Sequence, residues 1–186
     1  MTAISHGFPR ASPTDTRPHL ILVGLPGAGK SVVGAAVAAR LRREFMDLDQ
    51  EIERREAATV SAIFAEKGEH YFRQKERDLT DELRARGNMV LAPGGGWITN
   101  PDVVALLRPP GRIIYLKVKP ETAFSRLGGE AASRPLLARP DPVAELRRLL
   151  VDRDPLYSRA DHVIDTERLT VDRVVAEVLK VVPGRV

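Results

Sequence analysis

The amino-acid sequence predicts an α/β fold in which a five-stranded parallel sheet is sandwiched between helices. Two observations indicate this class. Short apolar runs alternate along the chain with segments of helical periodicity. A glycine-rich loop also joins the first apolar run directly to a helical segment. The 186 residues suit one domain with a substantial core, and 43% hydrophobic with 29% charged residues is typical of a globular protein.

Each strand is predicted from a short apolar run bounded by polar or turn-forming residues. Such runs bury both faces of a strand and are typical of a parallel sheet covered on each side. The predicted strands span residues 19–23, 45–48, 88–92, 112–118 and 162–165.

The helices are predicted from apolar residues spaced three and four apart. The first begins directly after the glycine-rich loop. A long helical segment over 52–86 is broken near Gly68, and Pro120 begins another helix, because proline suits a first helical position. An apolar stripe from Val171 to Val182 predicts a closing helix.

Composition limits where this chain acts and what it binds. Residues 1–18 are rich in Pro, Ser and Thr and are predicted to be a disordered leader, so 19–186 form the single domain. The absence of cysteine excludes disulfides and thiolate metal sites. No apolar run approaches the ~18 residues of a membrane span, so we expect no membrane association. The lack of cysteine fits a reducing compartment, and we expect a cytoplasmic location. A transit peptide in the basic, serine-containing leader is the alternative, which Asp15 and three prolines argue against. The net charge is +4, but the arginines are scattered and aromatics make up 5%, which argues against nucleic-acid binding.

The stretch GLPGAGKS matches the phosphate-binding pattern G-x-x-x-x-G-K-[ST] at Gly24, Gly29, Lys30 and Ser31. Glycines let successive backbone N–H groups turn towards phosphate oxygens, and the N-terminus of the following helix adds its positive dipole end. Lys30 supplies a full charge, and the Ser31 hydroxyl suits Mg²⁺. Because a strand precedes the motif and a helix follows it, the stretch predicts a nucleotide-phosphate site.

An acidic pair, Asp47 and Asp49, stands at the end of the second predicted strand. Two extended residues at this spacing share one face, at the edge of the sheet where α/β folds bind ligands. One carboxylate suits a metal's water shell, and the other suits the proton of an attacking hydroxyl. A calcium loop is excluded because Ile52 stands where glycine is required. A helix cap at Asp49 is the alternative.

Three arginines are candidates for binding an anionic substrate: Arg73 in GEHYFR, Arg134 in SRPLL and Arg153 in RDPLY. A guanidinium group binds carboxylate or phosphate through two parallel hydrogen bonds. Spacing alone leaves surface ion pairs open as the alternative for each of them.

A glycine triplet, Gly94 to Gly96, follows the third predicted strand. Glycines there allow positive φ and a close approach of ligand to backbone, although a tight turn at the strand end would also explain them.

In this order, the segments GLPGAGKS, FMDLDQEIE, GEHYFR, GGG, SRPLL and RDPLY resemble the shikimate kinase family. The resemblance runs from about residue 19 to 182. It implies a P-loop NTPase fold of the nucleoside-monophosphate-kinase-like type, with a mobile lid at about 127–139.

The resemblance implies transfer of the γ-phosphoryl group of ATP to the 3-hydroxyl of shikimate. Asp49 matches the family's candidate base and holds shikimate hydroxyls. Arg73 and Arg153 match the arginines that bind its carboxylate, and the triplet Gly94, Gly95 and Gly96 meets the substrate through Gly95.

The resemblance also implies the nucleotide and metal sites. Ser31 and Asp47 match the residues that bind Mg²⁺ in the family. Lys30 and the lid residue Arg134 join Asp49 as catalytic residues, because they offset developing charge. The residues that match the ATP site are Gly27, Ala28, Gly29, Lys30, Ser31, Val32, Arg126, Arg134 and Arg168.

Two positions depart from the family pattern. Val32 replaces a common threonine, which predicts weaker ATP binding, and Trp97 replaces a small residue after the triplet, where it either narrows the acceptor pocket or packs beneath it. The alternatives are a gluconate-type kinase and a silent nucleotide-binding regulatory domain. We expect a monomer, because no long apolar stripe is left over for a partner.

Overall fold

The strands form one parallel sheet that brings the sequence's glycine-rich and acidic segments to the same edge. The computed structural model describes residues 17–129, 137 and 139–182, so residues 1–16 of the predicted leader (1–18) and most of the predicted lid lie outside the described residues. Within them the strand order is β2-β3-β1-β4-β5, and every pairing is parallel. The strands are β1 (Leu20–Val23), β2 (Glu44–Asp47), β3 (Met89–Ala92), β4 (Arg112–Lys117) and β5 (His162–Asp165).

Helical crossovers connect consecutive strands and cover both faces of the sheet, as the alternating pattern predicts. A short 3₁₀ helix (Trp97–Thr99) follows β3. The α-helices of the described residues are α1 (Lys30–Leu41), α2 (Leu48–Glu56), α3 (Val60–Leu83), α4 (Pro101–Leu107), α5 (Pro120–Leu127), α6 (Pro142–Tyr157) and α7 (Val171–Lys180). None of these helices is both long enough and apolar enough to cross a bilayer.

The core has two halves, one on each face of the sheet. Successive residues of β1 alternate between them, because side chains along a strand point to opposite faces. Leu20 and Leu22 pack with apolar residues of α1, α5, α6 and α7. Ile21 and Val23 pack with residues of α2, α3 and α4 and with Trp97. The central strands β1, β3 and β4 are therefore buried on both sides, which explains why they read as apolar runs, whereas the edge strands β2 and β5 are partly exposed and carry polar residues.

Side-chain caps determine where several helices begin. The carboxylate of Asp47 accepts a hydrogen bond from the backbone N–H of Gln50 at the start of α2. The Thr59 hydroxyl accepts one from Ala62 at the start of α3, and Asp141 accepts one from Ala144 at the start of α6. Each bond satisfies an amide that has no partner inside its helix.

The predicted architecture is confirmed, but some elements differ from the expectation. The predicted helix over 52–86 is two helices, α2 and α3. The predicted break near Gly68 is confirmed, because Gly68 inside α3 leaves the helical region at φ 81° and ψ 166°. The strand predicted at 45–48 ends one residue earlier, at Asp47. The sequence pattern predicts none of α4, α6 and the 3₁₀ helix.

Candidate active site

The glycine-rich loop between β1 and α1 is shaped as a phosphate cradle. Gly29 is the residue before α1 and has a left-handed φ of 88°, and no side chain caps the first turn of the helix. A Cβ on Gly27 would lie 2.2 Å from the carbonyl oxygen of Ala123, so only glycine fits there. The ammonium group of Lys30 donates hydrogen bonds to the carbonyl oxygens of Gly24 and Leu25, both at 3.1 Å. The lysine therefore lies back across the loop, as the motif requires.

A cavity of about 420 Å³ opens beside this loop at the carboxyl ends of β1, β2 and β3. It gathers site residues that the sequence scatters over more than a hundred positions. The predicted site residues lining it are Lys30, Ser31, Val32, Asp47, Asp49, Arg73, Gly94, Gly95, Gly96 and Arg153.

Two oxygen donors meet at the loop side of the cavity. The Ser31 hydroxyl donates a 2.5 Å hydrogen bond to Oδ2 of Asp47, while Oδ1 of Asp47 caps α2. Hydroxyl and carboxylate oxygens are hard ligands, and Mg²⁺ is usually held by few protein groups together with water and phosphate. The pair that the sequence predicts as metal ligands is thus in direct contact.

The placement of Asp49 corrects the argument that led to it. Asp49 is not an extended residue beside Asp47, because β2 ends at Asp47 and Asp49 lies in the first turn of α2. The cap is Asp47 and not Asp49, so the capping alternative for Asp49 is wrong. Both carboxylates still line the cavity.

Each glycine of the triplet faces a different charged side chain. A Cβ on Gly94 would lie 2.5 Å from Oδ1 of Asp49, and one on Gly95 would lie 2.9 Å from Nη1 of Arg153. A Cβ on Gly96 would lie 2.4 Å from Nη2 of Arg73. None of the three has the left-handed φ that the sequence argument allowed for. Close approach of these charged groups to the backbone is therefore the reason for glycine here.

Arg73 is held by a buried carboxylate that the sequence analysis did not identify. Its Nη1 donates a 2.9 Å hydrogen bond to Oε2 of Glu76, and its Nη2 donates one of 3.0 Å to Glu69 at the exposed side. Glu76 is 2% exposed. Burial raises the pKa of Glu76 to about 7, and the negative charge of Asp49 adds to this, while Arg73 opposes it.

Arg153 enters the cavity from α6, a helix that carries it as a buried cation. The residue is 7% exposed. Its Nη1 has no hydrogen-bond partner among the described residues. A buried guanidinium without a full set of acceptors is suited to receive an anion. Arg73 and Arg153 thus present two cationic groups beside the same glycine triplet.

Trp97 packs beneath the glycine triplet and does not line the cavity, so it does not narrow it. The indole is fully buried and its Nε1 donates a 3.2 Å hydrogen bond to the Thr80 hydroxyl. That hydroxyl in turn donates to the backbone oxygen of Glu76 at 2.6 Å. The larger side chain at this position is therefore accommodated in the core between the triplet and α3.

The other described residues that are predicted to bind the nucleotide do not line this cavity. Arg126 donates hydrogen bonds to the hydroxyl and the carbonyl oxygen of Thr166, which tie α5 to the segment after β5. Arg168 is exposed in that same segment. The structure thus brings these two arginines to one region, apart from the triplet. Arg134, the predicted lid arginine, lies outside the described residues.

Apolar residues of α3 form a wall of the cavity that the sequence analysis also missed. Val60, Phe64 and Phe72 line it, and the rings of Phe64 and Phe72 are 5.1 Å apart. Positions 60 and 64 lie one helical turn apart on α3, a spacing that could have indicated a shared face.

Comparisons with known proteins agree with this geometry. The protein-family model described as shikimate kinase matches residues 26–183. The chain is 45% identical to shikimate kinase of Burkholderia thailandensis over 141 residues, which is 76% of either chain. The structure resembles that of shikimate kinase from Acinetobacter baumannii in complex with shikimate, with a TM-score of 0.84, 40% identity and coverage of 89% and 93%. It also resembles shikimate kinase from Bacteroides thetaiotaomicron, with a TM-score of 0.78, 30% identity and coverage of 88% and 97%.

Proposed function

The chain belongs to the shikimate kinase family, and from this premise we propose that it transfers the γ-phosphoryl group of ATP to the 3-hydroxyl of shikimate. The products are shikimate 3-phosphate and ADP. One observation carries the proposal: a single cavity contains Lys30 of the phosphate loop together with Asp49, Arg73 and Arg153. On this proposal, the triphosphate site and the site for a small hydroxy acid are adjacent, as direct transfer requires.

On the nucleotide side, we propose that the loop amides and Lys30 bind the β- and γ-phosphates of ATP. The uncapped first turn of α1 supports this role, because its amides are available to phosphate oxygens. Arg126 and Arg168 are proposed to border the adenine, and Arg134 to offset charge on the transferred group. The remaining ATP contacts proposed from the family are Gly27, Ala28, Gly29, Ser31 and Val32.

Ser31 and Asp47 are proposed to hold Mg²⁺, which would neutralise charge on the phosphates when bound. The donor set fits this ion, since both groups offer oxygen and already lie within hydrogen-bond distance of each other. Two protein oxygens leave room for water and phosphate around an octahedral ion.

On the acceptor side, we propose that Arg73 and Arg153 bind the carboxylate of shikimate and that Asp49 binds its hydroxyls. Two planar guanidinium groups suit a planar carboxylate. We propose that the shikimate ring lies against the backbone of the glycine triplet. Because these glycines have no side chains, Asp49, Arg73 and Arg153 lie close to that backbone and can contact the ring substituents.

The chemical step needs one base and a well-placed hydroxyl. The acceptor oxygen forms a bond to the γ-phosphorus, the bond to the β,γ-bridging oxygen breaks, and ADP leaves. The proton of the attacking hydroxyl passes to the carboxylate of Asp49. The rest of the work is positioning and charge neutralisation, which Lys30 and the arginines provide.

We further propose that residues 19–186 act as one monomeric domain in the cytoplasm, with a lid at about 127–139 that closes over the nucleotide. The alternation of elements around one sheet supports the single domain. Exclusion of water by such a lid would favour transfer over hydrolysis.

The test is ADP release with ATP and Mg²⁺ over four kinds of acceptor: shikimate, quinate, gluconate and nucleoside monophosphates. We expect turnover with shikimate well above that with the others. Preferred turnover of gluconate would replace the proposal with a gluconate-type kinase. No turnover with any of them, while ATP still binds, would favour a regulatory nucleotide-binding domain.

A further inference from the structure

Tyr157 is the last residue of α6, and its side chain contacts the backbone of the glycine triplet. Its side chain is fully buried, and its hydroxyl donates a 2.9 Å hydrogen bond to the carbonyl oxygen of Gly95. The ring stacks on Tyr115 with centroids 4.9 Å apart and an interplanar angle of 26°. The Tyr115 hydroxyl is itself bound to Oδ1 of Asp154 at 3.0 Å. The hydroxyl of Tyr157 is therefore held in one place by a ring that cannot easily move.

The same helix face presents a second group to Gly95. Arg153 precedes Tyr157 by four residues, which is one helical turn, so the two side chains lie on one face of α6. The Arg153 guanidinium lies so close that a Cβ on Gly95 would be 2.9 Å from Nη1. Gly95 thus contacts α6 in two places. Its α-carbon lies beside the Arg153 guanidinium, and its carbonyl oxygen accepts the hydrogen bond from Tyr157.

Fixing this carbonyl also fixes the next amide. The carbonyl of Gly95 and the N–H of Gly96 belong to one planar peptide and point in opposite directions. A carbonyl that rotated into the cavity would present a negative dipole end to a carboxylate bound at Arg153. A donor on the α6 side favours the orientation that keeps this oxygen away from an anionic acceptor.

We propose that Tyr157 is a positioning residue for the acceptor, one that holds the Gly95 peptide in the orientation a small carboxylic acid requires and keeps it against Arg153. This role rests on the proposed function. Tyr157 acts through Gly95 and Arg153 and contributes no atom to the reaction.

The experiment compares Tyr157→Phe with Tyr115→Phe. Each variant removes one buried hydroxyl and keeps the same stacked pair of rings, but only the hydroxyl of Tyr157 contacts the triplet and Arg153. The measurements are kcat and KM for shikimate and for ATP, the calorimetric Kd for shikimate, and the thermal midpoint.

We expect Tyr157→Phe to raise the KM and the Kd for shikimate about three- to tenfold, as loss of one buried hydrogen bond predicts, with the KM for ATP unchanged. Tyr115→Phe should lower the thermal midpoint about as much as Tyr157→Phe does, but it should leave the KM and the Kd for shikimate unchanged. This split separates positioning of the acceptor from a purely structural role, which would affect both variants alike.

An active wild-type enzyme whose shikimate constants match those of Tyr157→Phe would overturn the positioning role alone. An equal loss of shikimate affinity in both tyrosine variants would do the same, because it would indicate displacement of α6 as a whole. A wild-type chain that neither binds shikimate nor releases ADP with it would overturn the proposed function and this inference together.

Discussion

Arg73 and Glu76 form a 2.9 Å ion pair on one face of α3, with the glutamate buried and the arginine edge exposed to the cavity. The pair places an ionisable carboxylate directly behind a cation proposed to bind substrate. Because burial raises the pKa of Glu76 to about 7, its charge changes within the neutral range. Both the stability of the fold and the negative charge next to Arg73 therefore depend on pH through the ionisation of Glu76.

Glu76→Gln should remove a defined part of the pH dependence of stability. The carboxyl ionises near 4.5 in the unfolded chain and near 7 in the folded one, so between these values the folded state keeps a proton that the unfolded state has lost. Stability contributed by this group is fully present below pH 4.5 and falls as the pH rises towards 7. The thermal midpoint of Glu76→Gln minus that of wild type should therefore increase over this window.

The matched control is Glu69→Gln, which removes the exposed partner of the same guanidinium. The thermal midpoint of Glu69→Gln minus that of wild type should lack the rise that is expected for Glu76→Gln. If the curves of wild type and Glu76→Gln also ran parallel from pH 4.5 to 8, the assignment of a titrating group to Glu76 would be wrong.

Arg153→Ala should weaken acceptor binding with little effect on ATP. A charge-assisted contact to a carboxylate predicts a rise in the KM for shikimate of about ten- to a hundredfold. Arg147→Ala is the control on the same helix, because Arg147 is 60% exposed and pairs only with the surface residue Glu121 among the described contacts. The measurement is the steady-state KM for shikimate and for ATP of both variants and of wild type. A shikimate KM unchanged by Arg153→Ala would remove this arginine from the acceptor site.

Asp49→Asn should reduce kcat by about 10²–10⁴-fold, the usual effect of removing a general base. The variant keeps the side-chain shape beside Gly94, so ATP should bind with its normal Kd in a calorimetric titration. Asp78→Asn, an exposed change on α3, serves as the control. Turnover near the wild-type value would show that Asp49 neither accepts the proton nor anchors the acceptor hydroxyl.

The parts of the site that are contiguous in sequence were predictable. The phosphate loop carries its own backbone requirements within eight residues, and Lys30 and Ser31 follow from the motif. Asp49 was placed in the correct region with the wrong backbone conformation, because the end of β2 depends on the Asp47 cap and not on the spacing of the two carboxylates.

Spacing alone does not predict residues whose role depends on which way a helix faces, and Arg73 and Arg153 are assigned only through the family resemblance. Glu76 belongs to a strongly charged stretch, a pattern typical of a solvated helix face, and only the packing of α3 in the folded chain buries it. In α6 the buried positions include Glu145 and Arg153 among leucines, which interrupts the apolar stripe. Pro155 also lies inside this helix, and proline at such a position disfavours the prediction of a helix from sequence.

Val32→Thr should tighten ATP binding. Val32 is 60% exposed at the edge of the cavity, and threonine has nearly the same shape, so the hydroxyl can be added without repacking. One new hydrogen bond to a phosphate oxygen predicts a fall of about two- to tenfold in the KM for ATP, with the KM for shikimate unchanged. Val32→Ala, which adds no donor, should show no such fall. A fall in both variants would point to steric relief instead of a hydroxyl contact.

Fluorescence of Trp97 should report acceptor binding. It is the one tryptophan in the sequence, so the signal has a single source. Its backbone N–H donates to the carbonyl oxygen of Gly94, and its indole is joined through Thr80 to the backbone of Glu76. A carboxylate bound between Arg73 and Arg153 changes the electric field at this ring, which should shift the emission on titration with shikimate. Gluconate at equal ionic strength should leave it unchanged, and Thr80→Val should reduce the shikimate response. If calorimetry shows saturation with shikimate while the emission stays constant, the carboxylate does not bind above this ring.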